Sequence, residues 1–208
     1  MEQNFYIIRH GETDFNKSGM VQGSGIDSDL NEKGRMQAAA FYSHFSSFPF
    51  DKIYVSGLKR THQSVASFIK KGIPLEIVPE LNEISWGDFE GVAISPEMHD
   101  RYLNIISEWQ KGNLHLAYKN AETPLQLQER QKIALKKILK DTASRNILIA
   151  THGRYLRAFL CLLLEQPLHQ MDEFNHTNLC LYIIRYKEGK FTMIEACNTL
   201  HLEALNEN

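Results

Sequence analysis

The sequence predicts an α/β fold, a mainly parallel central sheet covered by helices on both faces, with a helical or irregular lid inserted into it. Three observations carry this expectation. Short apolar runs rich in β-branched and aromatic residues alternate with longer stretches of helical periodicity. Two of these runs end alike, on histidine and glycine, at residues 9–11 and 151–153. No internal repeat, low-complexity segment or linker divides the chain, so residues 1–208 are expected to form one domain.

The elements follow in order. "NFYIIRH" (4–10) reads as a buried strand with a turn at Gly11. "NEKGRMQAAAFYSHFSSF" (31–48) offers Asn31 as a cap and apolar positions at helical spacing, although Gly34 near its start weakens it. "DKIYVS" (51–56) is a second strand, "LKRTHQSVASFIKK" (58–71) a helix closed by Gly72, and "LEIVPEL" (75–81) a short third strand. Residues 86–123 mix aromatics with scattered Gly and Pro and mark the lid insertion. "PLQLQERQKIALKKILKDTA" (124–143) is an amphipathic helix with Pro124 suited to its first turn. "RNILIATHG" (145–153) repeats the opening pattern and runs into the apolar helix "RYLRAFLCLLLEQ" (154–166). "LCLYIIRYK" and "KFTMIEACN", flanking "EGK", form a hairpin at a sheet edge.

Composition narrows the function classes. In 208 residues, 43% hydrophobic content is enough for a substantial core. A net charge of −2 supplies no global field for nucleic acid or an anionic membrane, so any preference for an anion must be local. The start "MEQNF" lacks a basic stretch leading into an apolar one, and "LCLLL" near Leu160 is too short to span a bilayer. A soluble, cytoplasmic protein is expected, with no nucleic-acid or membrane partner; the sequence carries no expectation of oligomeric state. Cys161, Cys180 and Cys197 lie in apolar segments without CxxC spacing, which suits reduced core thiols.

Open α/β sheets bind ligands outside the carboxyl ends of their strands. Here those ends carry Arg9, His10 and Gly11; Ser56, shortly before Arg60; a segment leading to Glu83; and Thr151, His152 and Gly153. In a parallel sheet, two histidines, two arginines and a carboxylate meet at one rim. Each alone has a plainer explanation: a strand-end histidine satisfied by backbone, or an exposed helix arginine.

The four ordered motifs "RHGET" with Asn16, "SGLKRTHQS", "ELNEISWGDFEG" and "THGRYLRA" resemble the histidine phosphatase superfamily, in its phosphoglycerate mutase-like branch. Gln22 and Gly23, "DSDLNEKGRMQA" and Asn175 add to the resemblance, which spans nearly the whole chain. It implies that His10 forms a phosphohistidine, with Arg9, Arg60 and His152 around the transferred phosphoryl and no metal or other cofactor. The chemistry is consistent. A histidine attacks phosphorus only through a neutral ring nitrogen, and nearby guanidinium groups disfavour the imidazolium. The same guanidiniums match phosphate oxygens. Gly11 would let the backbone approach the phosphate.

The leaving alkoxide needs a proton that a phosphorylated histidine cannot give. By its place in "ELNEISWGDFEG", Glu83 resembles the family's proton donor, with Glu80 and Glu90 as rivals. Thr13, Asn16, Gln22 and Gly23 are candidate substrate contacts, as are Gly11 and Gly153; turn chemistry is the alternative for this loop. Arg157 suits a structural ion pair as well as a phosphate contact. Trp86, Phe89, Tyr102, Trp109 and Tyr118 either line a pocket or fill a satellite core. His62, His99, His115 and His201 lack metal-ligand spacing.

The resemblance implies a phosphomonoesterase acting on a small phosphorylated metabolite. Phosphoryl transfer of the cofactor-dependent mutase type is the alternative; Trp86 and Asp88 stand where the mutase pattern has basic and aromatic residues. A non-catalytic phosphate-binding module is a second alternative, and it would need the arginines but not His10 and Glu83 together. Residues 121–124 read "AETP" where family members often have Gly-Glu-Ser.

Overall fold

In the computed structural model, which describes residues 2–93 and 95–206, six strands form one sheet in the order β3-β2-β4-β1-β5-β6. β1 (Glu2–Arg9), β2 (Lys52–Val55), β3 (Leu75–Ile77) and β4 (Asn146–Thr151) are mutually parallel where they pair. β5 (Leu181–Lys187) runs antiparallel to β1 and forms the edge hairpin with β6 (Lys190–Asn198). Glu188 and Gly189, both at positive φ, make its two-residue turn.

The central strands are buried on both faces, which is why they read as continuous apolar runs. Phe5, Ile7, Ile147 and Ile149 face one core; Tyr6, Ile8, Leu148 and Ala150 face the other. Burying such a side chain contributes about 1.5–3 kcal/mol. α5 (Pro96–Gln110), α6 (Pro124–Leu139) and α7 (Gly153–Leu163) cover the first face through Ile105, Trp109, Leu127, Ile138 and Phe159. α2 (Glu32–Phe45) and α4 (Ala66–Lys70) cover the second through Phe41 and Phe68.

Local signals explain the helix starts. Asn31 caps α2 by accepting from Gly34 N at 2.8 Å. Thr123 and Gln126 form a reciprocal capping box before Pro124. Gly34 is required despite its low helix propensity: a Cβ there would lie 2.1 Å from the carbonyl oxygen of Glu12.

The structure differs from the sequence reading in the strand expected over 75–81, which covers only Leu75–Ile77 and is followed by a 3-10 turn at Pro79–Leu81. The helix expected over 58–71 is two short helices, α3 (Lys59–Ser64) and α4, broken at Val65. Of the helical or irregular alternatives expected for 86–123, a helix occurs in the 15-residue α5, started by Ser95 accepting from Met98 N. Trp86, Phe89 and Trp109 join the main core instead of a satellite. Among the described residues, no helix is long and apolar enough to cross a membrane.

Candidate active site

The register of β1 against β4 builds the site. Arg9 lies beside Thr151, and His10 N donates to Thr151 O at 2.9 Å. The next residue of each strand is therefore a histidine, and the two rings stand 5.2 Å apart between centroids.

His10 is 2% exposed. Its Nδ1 is 2.7 Å from the carbonyl oxygen of Gly11. A carbonyl only accepts, so Nδ1 carries the proton and the Nε2 lone pair is free. Burial first, then the charges of Arg60 and Arg9, hold the ring well below the usual histidine range. The neutral tautomer with an available Nε2 is thus built in.

His152 lies just behind. Its Nδ1 accepts from Arg60 Nε at 3.1 Å, which puts the proton on Nε2, 2.9 Å from Ser56 Oγ. Burial and then Arg60 keep this ring neutral too. Arg60 is fully buried, and burial lowers its own pKa to about 10. It also donates to the carbonyls of Ile26 (2.6 Å) and Gly23 (3.1 Å).

Glu83 approaches from the loop after β3. Its Oε1 accepts from Tyr155 N (2.8 Å) and Ile84 N (2.9 Å), and its Oε2 from Arg154 N (3.0 Å). His152 caps α7 without a side-chain bond, so Glu83 satisfies two of the helix's orphan N–H groups at its positive end. Behind Glu83, all five N–H donors of Arg130 are engaged: Glu80 O, Asn82 O, Glu83 O and both oxygens of Glu122, all within 3.0 Å.

A cavity of about 420 Å³ opens here. Among its lining residues are Arg9, His10, Asn16, Gln22, Glu83 and Gly153. Arg9 donates from NH1 to His176 Nδ1 at 3.0 Å, and its buried Nε has no protein partner among the described residues. As a residue of the cavity lining, Arg9 brings a permanent positive charge that suits an incoming oxyanion.

Arg60, His152, Thr13, Gly11 and Gly23 lie outside the lining. Arg60 and His152 form a layer behind His10, because their polar atoms are turned to each other, to Ser56 and to the Gly23–Ile26 loop. Thr13 is buried as the cap of α1 (Asp14–Lys17), in a capping box with Asn16. Asn16 Oδ1 accepts from Thr13 N (3.1 Å) and Asn178 Nδ2 (3.3 Å), which turns its amide nitrogen away from them. Gly23 makes room for Glu90, whose Oε1 would sit 2.2 Å from a Cβ. Gly11 also packs closely on α2, since a Cβ there would meet Gly34 O at 2.7 Å.

The rival carboxylates have other tasks. Glu90 ties Gly25 N and Trp86 N together at 2.9 Å each, and Glu80 is outside the cavity lining. Arg157 is a structural ion pair with Asp172 at 2.5 Å. Of the five aromatics, Trp86, Phe89 and Tyr102 line the cavity; Trp109 and Tyr118 pack behind them.

Sequence reasoning missed His176, Arg154 and Arg130. His176 lines the cavity, and burial followed by Arg9 lowers its pKa to about 2, so it presents a neutral ring. A lone histidine in a loop carries no spacing signal; the neighbouring Asn175 instead accepts from Tyr182 OH at 2.5 Å. Among the described residues, no group of three or more His, Cys, Asp or Glu side chains is arranged to hold a metal.

The family described as the histidine phosphatase superfamily (branch 1) matches residues 5–199. The chain belongs to this superfamily. Among solved structures, Bacillus stearothermophilus YhfR superposes with a TM-score of 0.83 at 27% identity, over 97% of this chain and all of that one (100%). Phosphoserine phosphatase 1 of Hydrogenobacter thermophilus is 27% identical over 198 residues, 94% of this chain and 92% of the relative. Adenosylcobalamin/alpha-ribazole phosphatase of Salmonella typhimurium is 27% identical over 192 residues, 90% of this chain and 93% of the relative. These relatives of the superfamily are named phosphatases, which agrees with the phosphoric monoester hydrolase expected from the motifs.

Proposed function

We propose that this chain is a phosphomonoesterase that hydrolyses a small phosphorylated metabolite through a phosphohistidine on His10. The observation that carries the reading is the fixed tautomer of His10: Nδ1 is held by Gly11 O, so Nε2 is the nucleophilic atom, in a cavity that Glu83 shares. Nε2 attacks phosphorus, the ester P–O bond breaks, and Glu83 delivers a proton to the departing oxygen. Glu83 then takes a proton from water as the water oxygen attacks the phosphohistidine, which releases inorganic phosphate and restores both groups. Arg9 by its charge, and Gly153 N–H at the start of α7, stabilise the transferring phosphoryl. Arg60 and His152 act from behind, Arg60 by its charge and His152 by packing against the His10 ring. Asn16, Gln22 and His176 contact the substrate.

In this reading residues 1–208 act as one domain, residues 86–123 form its lid, and the enzyme works in the cytoplasm. Hydrolysis of 4-nitrophenyl phosphate across a range of pH tests it. Absence of turnover by the natural chain would leave a phosphate-binding module. Isomerisation of phosphoglycerate that depends on added bisphosphoglycerate would favour the mutase alternative.

A further inference from the structure

Residues 176–179, just before β5, are bonded to the segment that follows β1. His176 holds the Arg9 guanidinium, and Leu179 N donates to Arg9 O at 3.0 Å. Between them, Asn178 uses one amide nitrogen twice. Its Nδ2 donates to His10 O at 2.9 Å and to Asn16 Oδ1 at 3.3 Å. The next residue, Leu179, is fully buried and held at a φ of 56°, in the left-handed region that bulky side chains avoid. Such a backbone persists where its surroundings fix it, and it gathers at functional sites. Leu179 O accepts from His201 Nε2 at 2.9 Å, so both main-chain polar groups of Leu179 are engaged.

The two bonds of Asn178 bear on different parts of the site. His10 N is already bound to Thr151 O, and the Asn178 bond fixes the other polar group of the His10 main chain. Asn16 Oδ1 accepts from Thr13 N and Thr13 Oγ1, at 3.1 Å each, as well as from Asn178. A main-chain N–H only donates, so the atom facing Thr13 is the amide oxygen. The amide nitrogen of Asn16, a residue of the cavity lining, is left for an acceptor there. A phosphoryl oxygen is such an acceptor, whereas a reversed amide would set oxygen against oxygen.

Resting on the phosphatase reading, we propose that Asn178 is a positioning residue for phosphoryl transfer: its Nδ2 fixes the main chain that carries the His10 ring and keeps the Asn16 amide turned with nitrogen toward the phosphoryl group. Asparagine suits the task because its amide nitrogen has two N–H groups for two acceptors.

The test measures kcat for 4-nitrophenyl phosphate and the inhibition constant of inorganic phosphate in Asn178→Ala, Asn16→Ala and the double variant. Asn178→Ala is expected to lower kcat about tenfold or more through His10. It is expected to raise the inhibition constant about fivefold or more through Asn16. In the Asn16→Ala background the same change should still lower kcat, yet leave the inhibition constant within about twofold, because the amide that Asn178 orients is gone. A general loss of structure would raise the constant equally in both backgrounds, and that result overturns the proposal. So does a change of less than about twofold in either quantity for Asn178→Ala. If Asn178→Ala does not fold, the natural chain decides. On addition of inorganic phosphate, the Nδ2 protons of Asn16 should shift in nitrogen–proton NMR while those of Asn178 stay protected from exchange with solvent. Asn16 protons that do not move, or Asn178 protons that exchange freely, overturn the proposal and leave the phosphatase reading intact. Failure of the natural chain to hydrolyse 4-nitrophenyl phosphate overturns both.

Discussion

Arg130 holds the main-chain carbonyl of Glu83 at 3.0 Å, while the carboxylate of Glu83 reaches over the start of α7. The same guanidinium holds Glu80 O and Asn82 O, so three carbonyls of one loop are fixed by one side chain. Arg130 is a positioning residue for the proposed general acid. Lysine has three donors without a fork and cannot reproduce this. In Arg130→Lys, kcat on alkyl phosphates should fall roughly 10–100-fold, within what general acid catalysis supplies. On 2,4-dinitrophenyl phosphate, whose leaving group departs without a proton, kcat should change little. Equal losses on both substrates would show a general structural effect instead.

His176 orients Arg9 at 3.0 Å and lines the cavity beside it. Replacing it with phenylalanine removes an acceptor from a buried guanidinium and a donor from the cavity. Hydrogen bonds involving charged groups contribute about 1.5–3 kcal/mol, so KM for 4-nitrophenyl phosphate and the inhibition constant of inorganic phosphate should rise roughly tenfold or more. Unchanged values of both would remove His176 from the phosphate site.

Three neutral histidines, His10 and His152 buried and His176 half-buried, make stability fall with acid. His10, His152 and His176 have folded pKa values far below the usual 6.5, held down chiefly by burial. Below about pH 6.5 the unfolded chain binds protons that the folded one refuses. Each ring therefore costs about 1.4 kcal/mol of stability per pH unit of further acidification. The contribution is fully present above pH 6.5 and is lost as pH falls. The depressed carboxylates Glu12, Glu76 and Asp141 respond only at more acid pH, below their ordinary values of 4.5, 4.5 and 3.8. Urea unfolding at pH 7 and pH 5 should show a large drop, and His152→Asn should make it shallower.

Gly11 and Gly34 pack backbone to backbone, with the Gly34 carbonyl 2.7 Å from where a Gly11 Cβ would be. Alanine at either position must move main chain, so each variant should lose about 1–3 kcal/mol despite the higher helix propensity of alanine at 34. For a chain of this size that lowers Tm by about 2–12 °C. Stabilisation by Gly34→Ala would contradict the packing.

The strands, their parallel order and the rim histidines were legible because strands buried on both faces must be apolar along their length, and strand ends are marked by Gly11 and Gly153. Asn31 and Pro124 announced helix starts through local signals that act over three or four residues. The break at Val65 and the order of residues 86–123 were not legible, since both depend on contacts distant in sequence, such as Trp86 against Trp109. Arg130 looked like one more polar residue on an amphipathic helix. Its carbonyl partners lie 47–50 residues away in the loop that carries Glu83. The packing of Gly23 against Glu90 and the place of Thr13 in the α1 capping box were likewise not legible, since a candidate contact and a turn residue look alike in sequence.

The central claim is that His10 carries the phosphoryl group through Nε2. Rapid quenching of the protein with phosphate-labelled 4-nitrophenyl phosphate should trap an acid-labile, base-stable label in the natural chain, and phosphorus NMR of the trapped species should place it on Nε2. His10→Ala should hold no label. Label that persists in His10→Ala, or phosphorus found on Nδ1, would contradict the account.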